Sequence, residues 1–284
     1  MISPSDHVVR AMLDDGSFRI VAARTTTTTG GVAAVQQVDG TTAEHLGNLL
    51  TGAVLFRETM APGYRVQTIL RATDGKSTLV ADSHPSGDAR GLVQLSGGRT
   101  SFDLNAPTQL QMMRSLPNGG IQQGVVDVPP TGRFSDAFMA YMEGSEQVTT
   151  VVGMVTRLDG TSVVASGGYL VQLLPEANAD ALRTMIEQLE SLGSLENVLG
   201  TDFTPSDLVT RIVGDRPHTW LGQSEIRYHC WCSEVRVMSA LATLDRQELE
   251  EMIADGNHIE ISCDYCRKDY RIPLGQLRGL LEES

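Results

Sequence analysis

The chain has 284 residues, 41% of them hydrophobic and 20% charged, the composition of a folded protein with an apolar core and room for about two domains. Its formal net charge is −13 and it carries no long Lys/Arg run, so a phosphate backbone would be repelled and no nucleic-acid partner is expected. The first residues lack the charged-then-apolar pattern of a secretory leader, and apolar stretches such as Leu49 to Phe56 are too short to span a bilayer. The expected compartment is therefore the cytoplasm, with no membrane contact.

In chain order, Phe18 to Thr28 reads as a strand, because its β-branched residues include Val and Ile beside the threonine run. Thr41-Thr42-Ala43-Glu44 has the pattern of a capping box opening a helix through Leu46, Leu49, Leu50 and Val54. Tyr64 to Ala72 and Thr78 to Asp82 form an expected hairpin turning at Asp74-Gly75. Asn118-Gly119 precedes a strand from Ile121 to Val128, and Ser135 to Tyr141 reads as a helix. A second hairpin runs Val148 to Leu158, turns at Asp159-Gly160 and returns through Thr161 to Leu174. Strand pairs mixed with helices predict an α+β core domain with antiparallel sheets over residues 1–176.

The texture changes after Pro175. From Asp180 to Leu199, Leu182, Met185, Ile186, Leu189 and Leu192 keep helical spacing, with Gly200 as the expected stop. Met185, Ile186 and Leu189 are expected to cover the core. Thr204 then caps a further helix with Pro205 in its first position, Phe203 placed to staple onto Leu208, and Gly214 as its end. Residues 177–228 thus read as a helical linker. In the last segment, 229–284, Asp245 and Glu248 form a capping box for a helix stopped by Gly256, and two short strands flank a Cys-x-x-Cys turn.

That segment holds every cysteine: Cys230, Cys232, Cys263 and Cys266, a Cys-x-Cys pair and a Cys-x-x-Cys pair thirty residues apart. In a compartment that keeps thiols reduced, four such residues point to a metal or redox site. Four sulfurs are the donor set of a structural Zn2+ site, and a Cys-x-x-Cys hairpin turn is a common half-site. The neighbouring Arg227, Arg236, Arg267 and Lys268 are expected to lower the thiol pKa values. His229, next to Cys230, could replace a sulfur, but both it and His258 are surplus to a filled tetrahedron. Three readings stay open from the residues alone: a switch that loses order when its thiols are oxidised, a closed zinc ribbon, and a thiol–disulfide oxidoreductase. Asp82, Ser83 and His84 carry the residue types of a hydrolase triad but are adjacent, and no Gly-x-Ser-x-Gly elbow or phosphate-cradling glycine loop accompanies them. No catalytic residue is expected.

Several stretches resemble the redox-regulated chaperone family called heat shock protein thirty-three. They are Cys230-Trp231-Cys232-Ser233, the run Ile259 to Cys266 with Tyr270-Arg271-Ile272, and Leu244 to Met252 between the cysteine pairs. Gly144 to Val148, Gly167 to Pro175, Glu44 to Leu50 and Asp82-Ser83 add to it, so the resemblance covers nearly the whole chain. It implies an ATP-independent holdase with one zinc bound by Cys230, Cys232, Cys263 and Cys266 in the inactive reduced form. It also implies that oxidation forms the disulfides Cys230–Cys232 and Cys263–Cys266, and that zinc then leaves. The linker and C-terminal domain would unfold, and the protein would bind unfolding clients, often as a homodimer.

Overall fold

A computed structural model describes residues 4–72, 77–104, 107–129, 133–254 and 258–283. By contacts the chain divides into two units, Met1–His229 and Cys230–Ser284. The fold class is α+β, as the sequence predicts.

The first unit begins with β1 (His7–Leu13), β2 (Phe18–Arg24), α1 (Thr26–Gln36) and α2 (Gly40–Arg57). Then come β3 (Arg65–Ala72), β4 (Thr78–Ser83), β5 (Asp88–Gln94), β6 (Thr108–Ser115) and β7 (Ile121–Asp127). Helix α3 (Phe134–Tyr141) runs into a single π-helical turn, Met142–Glu146, and is followed by β8 (Thr150–Asp159) and β9 (Ser162–Leu173). The unit closes with α4 (Ala179–Leu192), α5 (Leu195–Val198), α6 (Pro205–Val213), β10 (His218–Glu225) and the two-residue β11 (Arg227–Tyr228). One sheet has the order β10-β1-β2-β9-β8; the other has β11-β5-β4-β3-β6-β7, parallel only at β11–β5.

Helix α2 packs against strands of both sheets. Its apolar residues Leu46, Leu49, Leu50, Ala53, Val54, Leu55 and Phe56 are buried on all sides of the helix, the pattern of a core helix rather than a surface one. Gly52 permits the closest approach: a Cβ there would lie 2.3 Å from Phe138 Cζ.

Several sequence expectations are corrected in this unit. The threonine run is not strand: β2 stops at Arg24 and Thr26 opens α1. Tertiary hydrogen bonds override β-propensity there. Asp6 accepts from the Thr28 amide at 2.6 Å and its hydroxyl at 2.7 Å. Thr25, Thr29 and Thr156 place their hydroxyls 3.0, 3.1 and 2.9 Å from Ser166 Oγ, in a buried cluster. The capping box at Thr41–Glu44 does not form either. Helix α2 starts earlier, at Gly40, and Thr42 Oγ1 instead accepts the amide of Phe102 at 3.0 Å. Finally, the helix from Asp180 breaks before Gly200, at Gly193, whose φ of +70° favours glycine. The 64–82 hairpin is present as β3–β4, with its expected turn at Asp74-Gly75 outside the described residues. The 148–174 hairpin is present as β8–β9.

In the stretch 177–228, α6 carries the sequence-predicted cap: Thr204 Oγ1 accepts from the Asp207 amide at 3.2 Å, with Pro205 at the first helical position. Met185 is buried, 1% exposed, and Leu189 packs partly against the same cluster as Leu208 and Ile212. Ile186 does not: it is 45% exposed, because it lies with Leu182 on a flank of α4 turned away from that cluster. The stretch is also not wholly helical, since β10 pairs antiparallel with β1 along its length. Arg24, at the end of β2, is fully buried. It donates to Pro4 O at 3.2 Å, Thr201 O at 3.1 Å and Phe203 O at 3.4 Å, and stands over the Phe203 ring at 5.1 Å.

The second unit contains α7 (Glu234–Leu241), α8 (Arg246–Ala254), the hairpin β12 (Ile259–Ser262) and β13 (Asp269–Ile272), and α9 (Leu274–Glu283). The α8 capping box is formed, with Glu248 N donating to Asp245 Oδ1 at 2.8 Å and Asp245 N to Glu248 Oε2 at 3.2 Å. The expected stop at Gly256 lies outside the described residues. Among the described residues, no helix of either unit is long and apolar enough to cross a membrane.

Candidate metal centre

The small core of the second unit is built on Leu241, Leu249, Tyr270, Ile272 and Leu277, with Cys232 and Cys263 packed against its edge. Cys230 and Cys232 lie on the irregular stretch that enters α7. Ser233 fixes where that helix begins, its side chain accepting the Arg236 amide at 3.3 Å. Cys263 and Cys266 occupy the turn of the β12–β13 hairpin. The Cys263 amide donates to Lys268 O at 2.9 Å and the Arg267 amide to Cys263 O at 2.7 Å. Arg267 completes this turn at φ +59°, a left-handed conformation more often given to glycine.

These two half-sites bring all four Sγ atoms within 4.8 Å of one another. Cys230 Sγ lies 3.8 Å from Cys263 Sγ, and Cys232 Sγ lies 3.4 Å from Cys266 Sγ. Four thiolates at about 2.3 Å from one tetrahedral ion are about 3.8 Å apart, so the residues present fit such an ion. Tyr270 adds a contact beyond the sulfurs: its hydroxyl donates to Cys232 Sγ at 3.0 Å, and that bond raises the phenol pKa above its ordinary value. Burial pushes the Cys266 thiol up as well, outweighing the Lys268 amide that favours its thiolate. For Cys266 this reverses the lowering expected from cationic neighbours. One of those cations is spent elsewhere, Arg227 pairing with Asp88 at 2.6 Å within the first unit, while Lys268 Nζ stands over the Tyr270 ring at 5.1 Å. A divalent ion held by the four half-buried sulfurs would stabilise them as thiolates.

The family model described as Hsp33 protein matches residues 6–273. The chain belongs to the Hsp33 family. It is 24% identical to the 33 kDa chaperonin of Bacillus subtilis, over 98% of this chain and 99% of that one. It is 27% identical to the 33 kDa chaperonin of Agathobacter rectalis, over 97% and 99%. The crystal structure of the Thermotoga maritima 33 kDa chaperonin, a heat shock protein 33 homolog, superposes with a TM-score of 0.83 over 99% of each chain at 22% identity, a likeness of fold. Hsp33 members are named as chaperonins rather than enzymes, in line with the sequence expectation. Membership supports chaperone function.

Other sequence candidates take ordinary places in this Hsp33 chain. The metal-capable group contains neither His229 nor His258. The His229 amide donates to Ala89 O at 3.1 Å, and His258 Nε2 meets Glu260 Oε1 at 3.1 Å. The Asp82-Ser83-His84 run is split among different partners. Asp82 accepts from Arg65 at 2.6 Å and Arg90 at 3.1 Å, Ser83 accepts from Arg57 at 2.9 Å, and His84 Nδ1 meets Ser86 Oγ at 2.8 Å. Sequence reasoning missed Tyr270 as a partner of Cys232. The available signal was the alternation of Asp269-Tyr270-Arg271-Ile272, which turns Tyr270 and Ile272 to the inside.

Proposed function

We propose that this chain is a redox-regulated, ATP-independent holdase of the cytoplasm, held inactive while its thiols are reduced and Zn2+ is bound by Cys230, Cys232, Cys263 and Cys266. The observation that carries the reading is the approach of four Sγ atoms to within 4.8 Å in a unit with few buried apolar side chains. So small a unit buries too little surface to be more than marginally stable alone. Zinc, when bound, supplies a tetrahedral cross-link worth roughly 10–16 kcal/mol in model peptides. Cys232 and Cys263 are at once candidate ligands and part of the core's edge, so losing the thiolates loosens packing directly.

In the oxidised state each disulfide forms as two thiolates give up two electrons to a peroxide- or hypochlorous-type oxidant. Mutual approach of the sulfurs is compatible with more than one pairing, and the proposed pairs Cys230–Cys232 and Cys263–Cys266 rest on the family resemblance. Without its ligand set, segment 229–284 loses order, and the linker 177–228 loses order with it. Met185, Ile186 and Leu189 then become client-facing, extending apolar surface of which Ile186 is already part. Unfolding proteins are the clients, the active form is a homodimer, and neither nucleic acid nor membrane is a partner.

The test treats reduced, zinc-loaded protein with peroxide at elevated temperature. Zinc content, free thiols and aggregation of a heat-denatured client are followed together. Zinc release and thiol loss should precede suppression of aggregation. Metal loss with no gain of that activity would leave a plain zinc ribbon, and catalytic turnover of a small disulfide would indicate an oxidoreductase; either result defeats the proposal.

A further inference from the structure

Away from the cysteines, in the first unit, three guanidinium groups converge on one recess of about 340 Å3. Arg10 comes from β1, Arg19 from β2 and Arg57 from the last turn of α2. Glu58 supplies the carboxylate and accepts from both Arg10 and Arg57. The Glu58 and Arg57 side chains are buried, and that of Arg10 is mostly so. Arg19 donates instead to main-chain oxygens, Glu58 O at 2.8 Å and Thr59 O at 3.2 Å, while its Nε is shielded from solvent without a hydrogen-bond partner.

The charges therefore do not balance. Carbonyls at the end of α2 supply about half a negative charge at most, which leaves more than one positive charge uncompensated. Arginine cannot relieve this by giving up its proton, as a buried lysine would. Burial lowers the pKa values of Arg19 and Arg57, and the Glu58 carboxylate opposes that shift. Nor is this a side effect of a basic protein, because the chain as a whole carries −13. Nearby Asp82 offers no help, being held by Arg65 and Arg90.

We propose that this recess binds an oxyanion of the phosphate class. Guanidinium forks match the spacing of oxyanion oxygens, and Ser224 and Tyr64 also line the recess, the Ser224 hydroxyl within 3.0 Å of Arg10. The shared chemistry is a phosphoryl dianion, either free phosphate or the terminal group of a nucleotide.

The experiment is titration calorimetry of the full-length, reduced, zinc-loaded protein with inorganic phosphate, and separately with ADP, at constant ionic strength in chloride. Saturable one-site binding is expected. Arg10→Gln should weaken it about ten-fold and Glu58→Gln should strengthen it by a similar factor, opposite signs that a merely structural role would not produce. Equal affinities for the two probes identify free phosphate, and at least ten-fold tighter ADP identifies a larger phosphorylated ligand. Should either variant fail to fold, the wild-type protein decides the matter through the 15N-detected Nε–H resonance of Arg19, which should shift saturably with phosphate. Absence of saturable binding by both probes, indifference to both substitutions, or an unmoved Arg19 resonance overturns the proposal.

Discussion

Tyr270 places its hydroxyl 3.0 Å from Cys232 Sγ and so joins the second strand of the C-terminal hairpin to a sulfur of the opposite half-site. The ring is buried in the unit's core, so one side chain serves both packing and sulfur chemistry. Groups that hydrogen-bond metal ligands typically change affinity 10- to 100-fold when removed. Tyr270→Phe keeps the ring and deletes only the donor. Zinc affinity, measured by competition with a chromophoric chelator, should fall about ten-fold, with little change in the fold of the loaded protein. An unchanged affinity would show that the contact does not tune the site.

Arg267 makes a separate prediction about the same turn. Its φ of +59° costs a non-glycine residue about 1–2 kcal/mol, and glycine gives back part of that gain through a more flexible unfolded chain. Arg267→Gly should therefore stabilise the second unit by about 0.5–1 kcal/mol, read as a higher thermal midpoint. Arg267→Val, with a branched side chain at positive φ, should lower it.

His45 gives the first unit a pH dependence. Burial depresses its pKa from 6.5 to about 4, opposed weakly by Asp103. The unfolded chain then takes up the proton first as pH falls. Stability from this residue is complete above pH 6.5 and is lost progressively down to about pH 4, where the folded form also protonates. The shift corresponds to about 3 kcal/mol across that window. His45→Gln should flatten the fall in urea midpoint between pH 7 and pH 4.5 relative to wild type. Parallel curves for the two proteins would contradict the assignment.

Ser166 is the shared partner of the buried hydroxyl cluster formed by Thr25, Thr29 and Thr156. Ser166→Ala leaves buried hydroxyls short of a partner and should destabilise the first unit by about 1–3 kcal/mol in denaturant unfolding. The thiol count and metal content of the second unit should not change.

How much of this was legible in the sequence depended on whether the signal was local. The Cys-x-x-Cys hairpin, the Thr204-Pro205 helix start and the Asp245/Glu248 box each use residues a few positions apart, and all three are present. The threonine run was misread because its partners, Asp6 and Ser166, lie elsewhere in the chain. Strand β5 was not anticipated: its buried Asp88 and Arg90 are tolerated only because Arg227 and Asp82 neutralise them across the sheet. Strand β10 shows no inside–outside alternation, since it is an edge strand exposed along most of its length. Of the candidate centre, the four sulfurs were readable; the Tyr270 hydroxyl and the left-handed Arg267 needed the fold.

Arg24 gives the first unit an unusual seam. The oxygens it binds at Thr201 and Phe203 belong to the stretch leading into α6, so a desolvated cation, rather than hydrocarbon alone, fastens that stretch to β2. Peeling away a purely greasy strip would be opposed along its entire area. Here the departing carbonyls and the uncovered guanidinium would each be rewarded by hydration, which offsets part of the work. The fastening is therefore firm while dry and comparatively easy to undo once water enters.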